Sequence, residues 1–356
     1  MPTNADLRKR ERQSPLGAAR PPVPDRTTSA SPVLDLNPGE LVRVRSARQI
    51  SATLDERGAL ENLPFMPEMV KYCGQTFTVF KRADKTCGPD HGLRRMRNTV
   101  HLSNLRCDGA AHGGCQAACL MYWKEAWLER VGSTRVPRPR ESQELGAEEE
   151  AFIEAALLPA TRGDASRDDG PAWSCQATQV RNASTQLHGW YLGQYARDAR
   201  NWGYLKVLRV LLVEAFNRAQ QLSSKHLPRF LRFRGGRTFP FVAGALEKGQ
   251  TPSGKLDLQP GDRVRIKSKE AIVKTLDPTN HTRGLSFDTE MVKYCGRIAT
   301  VRARVQRLID EETGQMVHIK SDCIILEGLT CTADYHRLCP RSIYPYWREV
   351  WLEKVE

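Results

Sequence analysis

The heptapeptide EMVKYCG stands at Glu68–Gly74 and again, unchanged, at Glu290–Gly296. Around it the likeness widens. The 46 residues from Leu34 match those from Leu256 without a gap, at a constant offset of 222, with about half the positions identical. A shift of two residues then brings LRCDGAAHGGCQAACLMYWKEAWLERV onto LTCTADYHRLCPRSIYPYWREVWLEKV. Matches of that length and order imply two copies of one compact unit.

Each copy reads mainly as strand. Pro38-Gly39 and Pro260-Gly261 mark a turn, and the following Val42 and Val44, or Val264 and Ile266, alternate with basic residues. Such alternation buries one face of a strand. Ser46 and Ser268 suit the N-cap of a short helix. A second strand follows YCG, and IDEETGQM in the second copy suits a hairpin. Each copy closes on Trp123/Trp127 or Trp347/Trp351, an i, i+4 stripe expected in the core.

The stretch PGDRVRIKS resembles the first strand of SH3-like barrels, such as KOW modules and the β subunit of nitrile hydratase. The whole layout resembles a family of largely uncharacterised bacterial cytosolic proteins with two PG(D/E)xVR…YCG…WxExWL repeats around a helical middle. The likeness implies an α+β, mainly β fold: tandem duplicated SH3-like small barrels joined by a helical segment. It brings no activity with it, because the clustered cysteines of the other nitrile hydratase subunit are absent.

The expected organisation is a disordered basic tail over 1–32, a first repeat over 33–131 and a charged linker over 132–172. A helical connecting segment with an Arg-rich loop follows over 173–250, then a second repeat over 251–356. Leu205, Leu208, Leu212 and Phe216 lie near helical spacing and predict a helix that packs the two repeats together.

Aligning the copies sorts the ten cysteines. Cys73 matches Cys295, Cys107 matches Cys331, His112 matches His336, and Cys115 matches Cys339. Three thiolates and an imidazole make a complete tetrahedral Zn²⁺ shell, so one zinc per repeat is expected, stapling a thin core. Cys87, Cys119 and Cys175 have no counterpart in the second copy and are possible substitute ligands in the first. Cys119 reaches the same metal if its stretch is helical. Cys323 is expected in the core. Glu125 and Glu349, inside the W-x-E-x-W motif, are expected to pair with arginine or face solvent.

A net charge of +13 favours an anionic partner, nucleic acid first. Arg229, Arg232, Arg234 and Arg237 interleave with aromatics, and Arg263 and Arg265 lie on the first strand of the second copy; these are the candidate phosphate contacts. The tail lacks an apolar signal-peptide core and no long apolar run occurs, so a cytoplasmic protein without a membrane span is expected. No glycine-rich phosphate loop, His-Glu-x-x-His or nucleophile elbow is present. The first reading is therefore a zinc-stapled binding module. The alternatives are a metalloenzyme, or a subunit of one, with its active site in the first repeat, and a scaffold that assembles partner proteins.

Overall fold

The computed structural model describes residues 33–88, 92–132, 146–167, 170–187, 193–247 and 250–355, with side chains at 148, 164–167, 170 and 229 excluded. The expected tail over 1–32 and residues 133–145, 168 and 169 of the expected linker over 132–172 lie outside the described residues; from Ala147 on, the rest of that linker forms helix and then a strand pair, Arg162–Arg167 with Gly170–Trp173. The fold is mixed α/β, mainly strands, with a curled half-barrel sheet.

In the first half, β1 (Leu41–Val44) leads to the helix α1 (Ala47–Ser51), β2 (Thr76–Arg82), β3 (Thr99–Arg106), β4 (Leu120–Lys124) and β5 (Leu128–Arg130). They form one antiparallel sheet in the order β4-β3-β2-β1-β5. The helix α2 (Gly193–Trp202) and the longer α3 (Tyr204–His226) follow. In the second half, β6 (Arg263–Ile266), α4 (Lys269–Val273), β7 (Ile298–Arg304), β8 (Ile324–Leu326) and β9 (Leu352–Lys354) complete the main elements. Their sheet runs β8-β7-β6-β9.

The pairings agree residue for residue. Val42 faces Phe77 and Val264 faces Ala299; Val44 faces Leu128 and Ile266 faces Leu352. The register slips between Val79 and Lys81 and between Val301 and Ala303, a matching irregularity in each sheet, and the first sheet slips again between His101 and Arg106. A bulge adds twist and bends its strand, which curls the sheet. The place of β4 is taken in the second half by a single bridge between Ile324 and Trp347.

Local chemistry explains the shared elements. Ser46 accepts a hydrogen bond from Gln49 N, and Ser268 one from Ala271 N, so both short helices are capped as expected. All four tryptophans of the two motifs are fully buried. Phe65 meets Trp127 edge-on at 5.1 Å, and Phe287 meets Trp351 likewise at 5.3 Å. Cys323 is buried just before β8.

Glu125 and Glu349 do pair with arginine, and they are deeply buried rather than solvated. Glu125 accepts from Asp35 N (2.9 Å) and Leu36 N (3.1 Å) and lies 3.0 Å from Arg82 Nη1. Glu349 accepts from Leu256 N (2.7 Å) and Leu258 N (3.0 Å) and pairs with Arg304. Each carboxylate pins the segment entering its sheet.

The helical middle differs from the expectation. Leu205, Leu208, Leu212 and Phe216 are exposed, Leu205 by 85%. Val207 and Val210 turn inward instead, onto Leu338, with Trp202 and Leu211 beside them. Two adjacent apolar stripes run along α3, and the β-branched one takes the contact. The end of the expected linker and the stretch after it also belong with the first core: Leu157, Cys175, Ala177, Val180 and Ala183 all pack into it.

Candidate metal centre

The Cys-x4-His-x2-Cys loop of the first half is closed by Gly109. Its φ is +74°, and a Cβ there would lie 2.0 Å from Cys115 O, so no other residue fits without moving the loop. Gly114 N and His112 N both donate to Gly109 O. The second half repeats the turn with Ala333, also at positive φ, accepting from Leu338 N. These turns set the imidazole beside the first cysteine.

Among the described residues, two groups bring ligand atoms within 4.8 Å of one another: Glu68, Cys107 and His112, and Glu290, Cys331 and His336. Each group could hold a metal ion. The third member is the glutamate that opens the repeated heptapeptide. The cysteine five residues on was the expected ligand, and it belongs to neither group. Cys73 and Cys295 pack against the two cores, and burial pushes their thiols up to about 12 and about 11.

The outer cysteines of the loops also point elsewhere. Cys115 Sγ accepts from Ile309 N at 3.4 Å. Cys339 Sγ lies 3.0 Å from Cys87 Sγ. The S–H shared within that pair, with the Arg341 charge, draws Cys87 well below the usual thiol range; burial and the same contact push Cys339 up. In both halves the ligand atoms that stand together are thus those of Glu, Cys and His, and not the three cysteines and a histidine expected. The reason is geometric: a short turn holds Cys107 and His112 together, but the next residues turn away to cross to the other half.

The two groups differ in how their ligand atoms are used. In the second, Glu290 Oε1 accepts from Tyr335 N (2.6 Å), and Oε2 accepts from Thr332 N (3.2 Å) and faces Lys293 (3.3 Å). His336 lies 3.0 Å from Asp288 and 3.3 Å from Cys331 Sγ, and its side chain is 37% exposed. The Asp288 carboxylate, with the Cys331 sulfur, pushes that imidazole up to about 11.

In the first group, Glu68 Oε1 accepts from Ala111 N at 3.0 Å, the same clamp on the same loop. Its Oε2 has no hydrogen-bond partner. His112 Nδ1 approaches Glu68 Oε1 to 3.0 Å without hydrogen-bond geometry, and Nε2 lies 3.5 Å from Cys107 Sγ. Glu68 is 5% exposed and His112 2%. Buried polar atoms are seldom left without partners, and a cation would satisfy Glu68 Oε2. Burial and the Glu68 carboxylate push the Cys107 thiol far above its ordinary range.

A cavity of about 50 Å³ adjoins this group. Cys107 and His112 border it together with Cys115, Cys119 and Cys175, and Glu311 and Arg341 form part of the wall. Cys119 and Cys175 thus stand in the same cavity as the first group, although 116–119 is irregular and not helical, with Ala118 at positive φ. Burial raises the thiols of Cys119 to about 12 and of Cys175 to about 11. Glu311 and Arg341 come from the second half, a contribution no spacing within one repeat could signal. Glu68 and Glu290 did carry a signal, since the heptapeptide repeats its glutamate as faithfully as its cysteine.

The candidate phosphate contacts are scattered over several elements. Arg263 and Arg265 lie on the exposed face of β6. Arg234 is exposed and stacks over Phe241 at 4.6 Å, Arg232 donates to Leu227 O at 2.7 Å, and Arg237 is exposed. The side chain of Arg229 lies outside the described residues. No helix among the described residues is long and apolar enough to cross a membrane. Comparison with protein-family models, with curated proteins and with solved structures found no match for this chain.

Proposed function

We propose that this chain is a metal-dependent protein built on two copies of an SH3-like barrel, with its working centre in the first. The shared register at offsets of 222 and 224 supports the duplication. The observation that carries the centre is Glu68 Oε2, buried and without a hydrogen-bond partner, beside His112 and Cys107 Sγ. Three protein ligands of mixed O, N and S type suit Zn²⁺ or a neighbouring first-row ion. Three ligands also leave a position for water or a small ligand, as catalytic zinc sites do and structural ones do not. Cys107 and His112 border the cavity, which has room for a few atoms of such a ligand. There the cation would polarise a carbonyl or lower the pKa of water. The second group, whose carboxylate is already spent on Thr332, Tyr335 and Lys293, serves as a loop clamp.

Metal analysis of the purified chain tests this reading. One tightly held equivalent is expected, absent from Cys107→Ser and kept by Cys331→Ser. No metal in the wild type, or equal loss in the two variants, would end it.

A second reading concerns the surface. Arg234, Arg237, Arg263 and Arg265 are exposed, and so are Phe230 and Phe233. Exposed cations among exposed rings favour an anionic partner such as single-stranded nucleic acid. Binding through about six phosphates of a single strand would weaken roughly 300-fold between about 50 and 200 mM salt. Oligonucleotide titration at both salts measures it; affinity that ignores salt rules the reading out.

A further inference from the structure

Cys87 and Cys339 come from opposite halves of the chain, 252 residues apart, and their sulfurs stand 3.0 Å from each other. That is inside the contact distance of two unbonded sulfurs and about 1 Å longer than a disulfide. The approach is held by the backbone on both sides. Cys87 N donates to Cys339 Sγ at 3.2 Å. Two residues before Cys87, Lys85 Nζ donates to Arg337 O at 2.8 Å and pairs with Asp198. Two residues after Cys339, Arg341 Nη1 donates to Cys87 O at 3.0 Å while its guanidinium is gripped by Glu311. Segments 85–87 and 337–341 are thus zipped together, with the two thiols in the middle.

We infer that Cys87 and Cys339 form a reversible dithiol–disulfide pair that takes small-molecule disulfides, such as oxidised glutathione, as its oxidant. The order of events follows from exposure. Cys339 is 2% exposed and cannot be reached first, whereas Cys87 is half-buried. The Cys87 thiolate attacks one sulfur of the small disulfide and expels the other as a thiolate. Cys339 then attacks the Cys87 sulfur of the mixed disulfide and expels the second small thiolate. Two cysteine thiols are oxidised, one small disulfide is reduced to two thiols, and the two protons end on those products. The reverse, with excess small thiol, restores the dithiol.

The bond would tie a strand end of the first half to the loop of the second. Arg341, which spans the pair, is also part of the cavity wall, so oxidation fixes that wall. The inference needs no metal. Neither Cys87 nor Cys339 belongs to the Glu68 group, so its test runs equally well on chelator-treated protein and on Cys107→Ser.

The full chain is equilibrated in reduced and then in oxidised glutathione, alkylated and mapped by mass spectrometry. In oxidised buffer, two of the ten thiols are expected to disappear, recovered as one peptide pair joining Cys87 to Cys339. Cys339→Ala should trap one glutathione on Cys87, because no second thiol resolves it. Cys87→Ala should leave Cys339 reduced and without glutathione. The wild-type map needs no variant to fold. Full alkylation of both cysteines in oxidised buffer, or pairing of Cys87 with a different cysteine, overturns the inference.

Discussion

Glu125→Ala is expected to destabilise the chain by about 3–5 kcal/mol, with Glu349→Ala close behind, measured as unfolding midpoints in urea. Arg82 is 5% exposed in its side chain and faces Glu125 at 3.0 Å. Removing the carboxylate leaves that guanidinium with Asp84 and Asp35, and it strands the amides of Asp35 and Leu36. Each amide left without its acceptor costs about 1–3 kcal/mol, and Arg82 loses one of its three acidic partners. Glu125→Gln keeps the shape and part of the bonding and should cost less. The Glu349 clamp also carries a pH dependence. Burial pushes its carboxyl up, but Leu258 N, Leu256 N and Arg304 together hold it below 4.5. A lowered carboxyl pKa stabilises above its unfolded value, so this contribution is intact at neutral pH and fades as pH falls through the folded value. A change of less than about 1 kcal/mol for Glu125→Ala would contradict the clamp.

If Glu68 is a direct ligand, as proposed, Glu68→Gln is expected to weaken metal binding by more than the roughly 10–100-fold that loss of an outer partner costs. Glu290→Gln should leave that affinity unchanged. The contrast matters because the two glutamates make the same backbone clamp, to Ala111 N in one half and Tyr335 N in the other. Loss of the clamp alone would affect the two loops equally. Only the first glutamate has a buried oxygen without a partner. Chelator competition on the two variants separates ligand from clamp. Equal affinities would make Glu68 a clamp and nothing more.

Much of the fold was legible because local chemistry and long-range packing agree. The Pro-Gly turns, the Val42/Val44 and Val264/Ile266 alternation, the Ser46 and Ser268 caps and the buried tryptophans each state their element in a few residues. The helix α3 was legible as a helix but not in its orientation. Leu205, Leu208 and Leu212 outweigh Val207 and Val210 in hydrophobicity, yet the valines meet Leu338. Which stripe is buried depends on a partner that lies more than a hundred residues away.

The site was half legible. Cys107 and His112, with Cys331 and His336, sit where the spacing puts them, because five residues and a left-handed turn leave them little choice. The third member of each group is the glutamate and not the expected cysteine. Cysteine is the more conspicuous residue of EMVKYCG, but it follows the short helix and turns into the core. Glutamate, at the start, faces the loop. Spacing could not say which, since both lie on one short segment. The fates of Cys115 and Cys339 were out of reach for a different reason: their neighbours, Ile309 and Cys87, belong to the opposite half.

Titration of Co²⁺ into chelator-treated protein tests the central claim most directly, because a thiolate bound to cobalt announces itself as a charge-transfer band. The expected result is one band, saturating at one equivalent, lost in Cys107→Ser and retained in Cys331→Ser. A wild-type titration with no thiolate band, or a band that survives Cys107→Ser, would contradict a metal centre at Glu68, Cys107 and His112.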